Sequence, residues 1–198
     1  MNLNDSIVGR INSARNLIND PLTFDAARLS KLADLIIGTF VKGNKVAFVG
    51  NGGSAAEAMH LAAEFTGRCV IEHSPLPAIC LNESQSALTA ISNDYGPEHM
   101  FSRLTSALLS RDDILIAMST SGKSKNILNA ISAAKENNVH TILWMGNFDV
   151  TLSDTDIWKV PSKSTPRIQE VHLVWGHVLA EVVEEAWVIS SKQTKQGL

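Results

Sequence analysis

Cysteine is nearly missing from this sequence: Cys69 and Cys80 are the only two in 198 residues. Two thiols at that spacing make neither a disulfide framework nor a cysteine zinc cluster, so a reduced compartment, the cytoplasm, is the expected home. No apolar run reaches the length of a membrane span. The opening MNLNDSIVGRINSARN is polar and amphipathic where a signal peptide needs an apolar centre. A membrane partner is therefore not expected. Basic charge is also scarce: the net charge is -3, with 19% charged and 44% hydrophobic residues. That is the balance of a soluble globular protein, and it lacks the basic excess of a dedicated nucleic-acid binder. Internal repeats, low-complexity tracts and linkers are lacking too, so one domain over residues 1–198 is expected, long enough to bury a core without disulfides.

What is present alternates. Two amphipathic helices are predicted near residues 4–18 and 25–42, the second carrying Leu29, Leu32, Leu35, Ile36 and Phe40 at helical spacing with Gly43 as a stop. Beyond this helical region, about residues 1–43, the period changes. Compact apolar runs at 45–50, 77–82, 113–119, 141–146 and 156–160 read as buried strands. Helical patterns at 54–68, 86–92, 99–109 and 124–138 separate most of them, and a long final helix runs from Thr165 to about Ser190. Strands alternating with helices predict an α/β fold, a parallel sheet covered on both faces.

In such a sheet, ligands sit at the carboxyl ends of the strands, where helix N-termini point amides outward. After the first strand comes GNGGSAAEA, in which Gly50, Gly52 and Gly53 allow tight turns and Ser54 is placed to cap the next helix. It matches neither the dinucleotide nor the Walker pattern, and reads either as an anion-holding loop or as a plain tight turn. After the third strand, STSGKSKN crowds Ser119, Thr120, Ser121 and Ser124 around Gly122, just before a helix. Capping needs one hydroxyl and four are present, so this loop is the candidate phosphate site, with Lys123 adding attraction.

On the helix after the first loop, His60 and Glu64 are four residues apart, about 40° around the axis, and project from nearly one face. In the final helix, Gln169 and His177 lie about 80° apart and share a broad side, while His172 reads equally as a packing or a surface residue. Polar groups buried unpaired cost about 1–3 kcal/mol each, which favours a joint purpose for the two pairs.

GNGGSAAEAMHLAAEFTGR, AISNDYG, STSGKSKNIL and RIQEVHLVWGH, in this order, resemble the sugar isomerase (SIS) family, in particular its phosphoheptose isomerases. The resemblance implies a flavodoxin-like five-stranded parallel sheet between helices. It implies a homotetramer with active sites at subunit interfaces, His177 reaching a neighbour's cleft. The implied activity is aldose-ketose interconversion of sedoheptulose 7-phosphate and D-glycero-D-manno-heptose 7-phosphate, the first step toward ADP-heptose or GDP-heptose. By motif, Asn51, Gly52 and Gly53 would contact substrate, as would Glu64 and Gln169. Ser119, Thr120, Ser121 and Ser124 would hold the phosphate, and Asn93 and Asp94 the sugar hydroxyls. His60, Glu64, Gln169 and His177 would bind Zn²⁺, with Glu64 and His177 the acid-base pair. The chain departs from the family's glycine-rich turn after the fourth strand, where it has MGNFDVTLSD.

Two non-enzymatic readings compete. One is a scaffold similar to the replication-initiator-associating protein of the same family, which lacks the counterparts of Glu64 and His177. The other is a sugar-phosphate-sensing regulator, which would need a DNA-binding element, and no basic stripe or helix-turn-helix is visible.

Overall fold

The computed structural model describes residues 2–196, with side chains to residue 190. The apolar runs become β1 (Val46–Gly50), β2 (Ala78–Cys80), β3 (Ile114–Met118), β4 (His140–Gly146) and β5 (Asp156–Val160). They form one sheet in the order β2-β1-β3-β4-β5, every neighbouring pair parallel. The helices are α1 (Leu3–Ile18), α2 (Ala26–Val41), α3 (Gly53–Thr66), α4 (Gln85–Tyr95), α5 (Met100–Leu108), α6 (Lys125–Glu136) and α7 (Thr165–Gln196). The expected three-layer α/β fold is what forms.

Strand periodicity sorts the core. Val46, Phe48, Ile114, Ile116, Met118, Ile142, Trp144, Trp158 and Val160 turn to the face covered by α2, α3 and α7. Ala47, Val49, Leu115, Ala117, Leu143 and Met145 turn to the other, against Phe101 of α5 and Ile127, Ala130 and Ile131 of α6. On α7, Trp175 and Val183 are buried in this core, whereas Val182 stays exposed. Helix α1 buries no residue and leaves Leu3, Ile7, Val8, Ile11 and Ile18 exposed.

Helices α3 and α7 lie side by side and point the same way. Ser54 meets Gln169, His60 meets His177, and the amide of Cys69 meets Glu184, at sequence separations of 115, 117 and 115. Gly176 sets the closeness of this pair, since a Cβ there would lie 2.2 Å from Leu61 Cδ2. At the far end the buried Glu184 carboxylate accepts amides of Cys69 (3.1 Å), Val70 (2.7 Å) and Ile71 (2.8 Å), pinning the chain leaving α3 onto α7.

Gly176→Ala should therefore force Leu61 out of its packed position and destabilise the protein by about 1–3 kcal/mol, the usual overpacking range. Urea unfolding measures this. A midpoint equal to that of the parent would show that the helices have slack at this point.

Candidate active site

The sheet order reverses between β1 and β3, so the loops leaving these two strands diverge and open a crevice at their carboxyl ends. Both sequence-predicted loops lie there. In the first, a Cβ on Gly50 would fall 2.4 Å from the Ser54 carbonyl oxygen, and Gly52 has φ +56°, so glycine is needed at both positions. Asn82, beyond β2, holds Gly50 by both its amide groups: its Oδ1 accepts from Gly50 N (3.2 Å), its Nδ2 donates to Gly50 O (2.9 Å). The N-cap residues of α3 and α6 are Gly52 and Ser124, and neither bonds the first turn through a side chain. That leaves helix-end amides available to an anion. The expected cap by Ser54 is corrected: Ser54 lies inside the first turn of α3, buried, with its Oγ accepting from Gln169 Nε2 at 3.2 Å.

The second loop is a tight turn of hydroxyls. Ser119 Oγ donates to Ser124 Oγ (3.2 Å), Gly122 N donates to Ser119 O (2.9 Å), and Ser121 Oγ accepts from Lys123 N (3.2 Å). Thr120 is anchored by its carbonyl, which accepts from Gly146 N at 3.0 Å. Gly122, at φ +68°, faces Met145 and Val150 so closely that a Cβ would lie 2.5 Å from Met145 Cε. The end of β4 and the segment after it, which departs from the family pattern, thus buttress this hydroxyl loop. Asn51 and Asn126 exchange amide hydrogen bonds, 2.9 Å each way, and so tie the two loops together.

His60, Glu64 and His177 converge. His60 Nε2 lies 2.7 Å from His177 Nε2 and 3.3 Å from Glu64 Oε1, and one donor atom from each residue falls within 4.8 Å of the others. All three belong to one chain, so the meeting of Glu64 with His177 does not itself require a neighbouring subunit. Two helices from distant parts of the sequence meet within the subunit because Gly176 lets them close. Gln169 sits one helical stretch away, against Gly53, where a Cβ would be 2.5 Å from its Nε2. Asn93 and Asp94 are not brought into this cluster. They are exposed at the end of α4, bonded to each other (Asn93 Nδ2 to Asp94 Oδ1, 2.9 Å).

Two imidazole nitrogens and a carboxylate oxygen at one point are a donor set that suits Zn²⁺, while Gln169, the fourth ligand the resemblance implies, lies farther along α7 against Ser54 and Gly53. The fit is one of chemistry and convergence.

Sequence reasoning missed a second layer. Glu57 is buried on the inner face of α3, and His172 is fully buried on α7, stacked on Trp175 and next to Trp144. Burial pushes the Glu57 carboxyl up to about 7, a hydrogen bond with Ser54 acting the other way. Burial alone lowers His172 to about 3, so its ring is neutral. Among the described residues Glu57 Oε2 and both His172 nitrogens have no hydrogen-bond partner, and Glu57 Oε2 lies 4.0 Å from His172 Nδ1. The available signal was an acid on the Ser54, Ala58, Leu61, Phe65 stripe, which is the buried face of the helix.

The SIS domain family matches residues 11–144. A phosphoheptose isomerase of Rhodospirillum rubrum is 45% identical over 163 residues, 81% of this chain and 87% of that protein. A phosphoheptose isomerase of Aneurinibacillus thermoaerophilus is 42% identical over 190 residues, 93% of this chain and 95% of the other. Among solved structures, phosphoheptose isomerase GmhA from Neisseria gonorrhoeae superposes with a TM-score of 0.84 at 32% identity, covering 93% of this chain and 100% of its own.

The buried imidazole sets a pH signature. Between its ordinary value of 6.5 and about 3, the unfolded chain takes up a proton that native His172 refuses, so its contribution to stability, complete above 6.5, is lost as pH falls. Glu57 runs oppositely: its contribution is complete below 4.5 and is lost as pH rises through about 7. Below 4.5 only His172 of the two still slopes. His172→Phe should therefore lose less stability than the parent between pH 4.5 and 3.5, read from urea midpoints. Parallel losses would mean that the ring titrates normally.

Proposed function

The chain belongs to the SIS domain family, and from that membership and the convergence of Glu64, His60 and His177 beside the two crevice loops we infer how it works as a phosphoheptose isomerase. It interconverts sedoheptulose 7-phosphate and D-glycero-D-manno-heptose 7-phosphate. The phosphate is held by the hydroxyls of Ser119, Thr120, Ser121 and Ser124 at the uncapped end of α6, and Asn51, Gly52 and Gly53 line the sugar. A proton must then leave one carbon and return to its neighbour through an enediol, while a second proton changes oxygens. Glu64 carries the carbon-bound proton. His177 serves the oxygens, its Nε2 held beside His60. Zn²⁺ held by His60, Glu64, Gln169 and His177 would supply polarisation of the substrate carbonyl, and since a nitrogen bound to it carries no proton, the acid and base roles of Glu64 and His177 depend on the metal state. The scaffold alternative is not favoured, since the chain keeps both Glu64 and His177 and its relatives named above are isomerases.

Purified protein given sedoheptulose 7-phosphate should yield the aldose heptose 7-phosphate, followed by chromatography. Glu64→Gln and His177→Gln should each cut kcat about 10²- to 10⁴-fold with melting temperature kept. Near-parental turnover in either variant would remove that residue from the chemistry.

The assembly is proposed as a homotetramer in the cytoplasm. Its support is the apolar stripe of α1, together with exposed Val178 and Val182 of α7, more oily surface than one chain covers. Asn93 and Asp94, exposed and paired only with each other, are the site residues that a neighbouring copy's cleft would engage. Light scattering should give four chains, and Ile7→Glu with Ile11→Glu should lower the mass. A parent that is monomeric at micromolar concentration would overturn this assembly.

A further inference from the structure

The side-chain amides of Asn51 and Asn126 form a closed pair, and one further bond decides which way round it lies. Asn126 Nδ2 donates to Asn51 Oδ1 and Asn51 Nδ2 donates to Asn126 Oδ1, each at 2.9 Å. Such a pair is equally satisfied with both amides turned over, so by itself it fixes no orientation. Asn126 Oδ1 also accepts from the backbone N–H of Ile127 at 3.0 Å. A backbone N–H can only donate, so the Asn126 atom it meets is the oxygen, and the Asn51 amide is fixed in turn. Asn126 and Ile127 lie in the first turn of α6, behind the N-cap residue Ser124, so the helix start sets the direction of the pair. The Asn51 backbone is held as well, its carbonyl accepting from Ser54 N at 3.0 Å. An amide nitrogen carries two protons, and Asn126 engages one of those on Asn51.

We propose that Asn126 is a positioning residue: anchored by the Ile127 amide, it holds Asn51 in a single orientation, whose second N–H is then a donor of fixed place for an oxygen of the open-chain sugar. This rests on the isomerase reading and deepens it. Asn126 directly follows the hydroxyl loop, and Asn51 opens the loop that leads into α3, which carries His60 and Glu64. The pair therefore couples the place of the phosphate end to that of the carbon end. Asn126 acts on the sugar only through Asn51.

Asn126→Ala should lower kcat about ten- to a hundredfold, the loss that small misplacement of a bound substrate brings, with KM for sedoheptulose 7-phosphate kept within about threefold because the hydroxyl loop is intact. Asn51→Ala combined with Asn126→Ala should be no slower than Asn51→Ala alone. Additive losses, or parental kcat in Asn126→Ala, overturn the proposal. Asn126→Asp keeps an oxygen for the Ile127 amide and loses the donor to Asn51, so it separates the pair from a mere helix cap and serves if Asn126→Ala fails to fold. It should lose kcat as the alanine variant does; parental kcat would show that Asn126 only caps α6. A second arm does not depend on the reaction. The Asn51 side-chain NH₂ signal, identified by its loss in Asn51→Asp, should exchange with solvent about fivefold faster in Asn126→Ala than in the parent. An unchanged rate overturns the proposal whatever the activity. A parent that leaves heptose phosphate unchanged would sink the functional reading instead, and the orientation of Asn51 is then decided by the exchange rate alone.

Discussion

The close parallel contact of α3 with α7 is the constraint from which the candidate site follows. Parallel strands send every helix back in the same direction, so α3, leaving β1, and α7, entered from β5, present their N-termini at the same edge of the sheet. Side-chain pairs then recur along the two helices in register: Ser54 with Gln169, Leu61 with Gly176, His60 with His177. Only a residue without a side chain permits this spacing at 176, because Leu61 already fills the gap. Glu184 closes the far end by taking three consecutive amides, so the alignment is held at both ends.

The other half of the crevice obeys a different rule. Anion binding as proposed there would need little formal charge, because the N-cap residues of α3 and α6 make no side-chain cap bond to their first turns. The cost is backbone geometry: Gly50, Gly52 and Gly122 occupy positions where a side chain would clash or a positive φ is required. The end of β4, through Met145 and Gly146, and Val150 just beyond it then brace that strained loop.

Much of this was legible in the sequence, and the reasons are physical. Fully buried parallel strands are short apolar runs, which is why five compact segments located the sheet to within a few residues. His60 and Glu64 were legible because helix geometry alone puts residues four apart on one face. The role of Gly176 was not legible, since its reason lies in Leu61, on a helix more than a hundred residues earlier. Nor was the meeting of His60 with His177 inside one chain, which depends on that same glycine. Glu57 was hidden by type: an acid on a helix reads as solvated surface until the stripe of Ser54, Ala58, Leu61 and Phe65 is seen to face inward. Ser54 misled for a related reason, because a serine near a helix start suits a cap as well as an interior acceptor, and Gly52 had already taken the cap position.

On the proposed reading, binding and chemistry are built on separate parts of the fold, the hydroxyl loop on β3 and α6, the His60, Glu64 and His177 cluster on α3 and α7. A sugar phosphate bound at one end is useful only if its carbons arrive at a fixed distance from the other. The two parts are joined across the sheet's switch point by the reciprocal amide bonds of Asn51 and Asn126, while Asn82 holds Gly50 at the base of the first loop. Each of these amides uses both its donor and its acceptor on one partner, so each fixes an orientation as well as a distance. Amides suit that purpose better than ion pairs beside a bound phosphate, since they lock the loops together without adding a charge that would compete with the substrate's own.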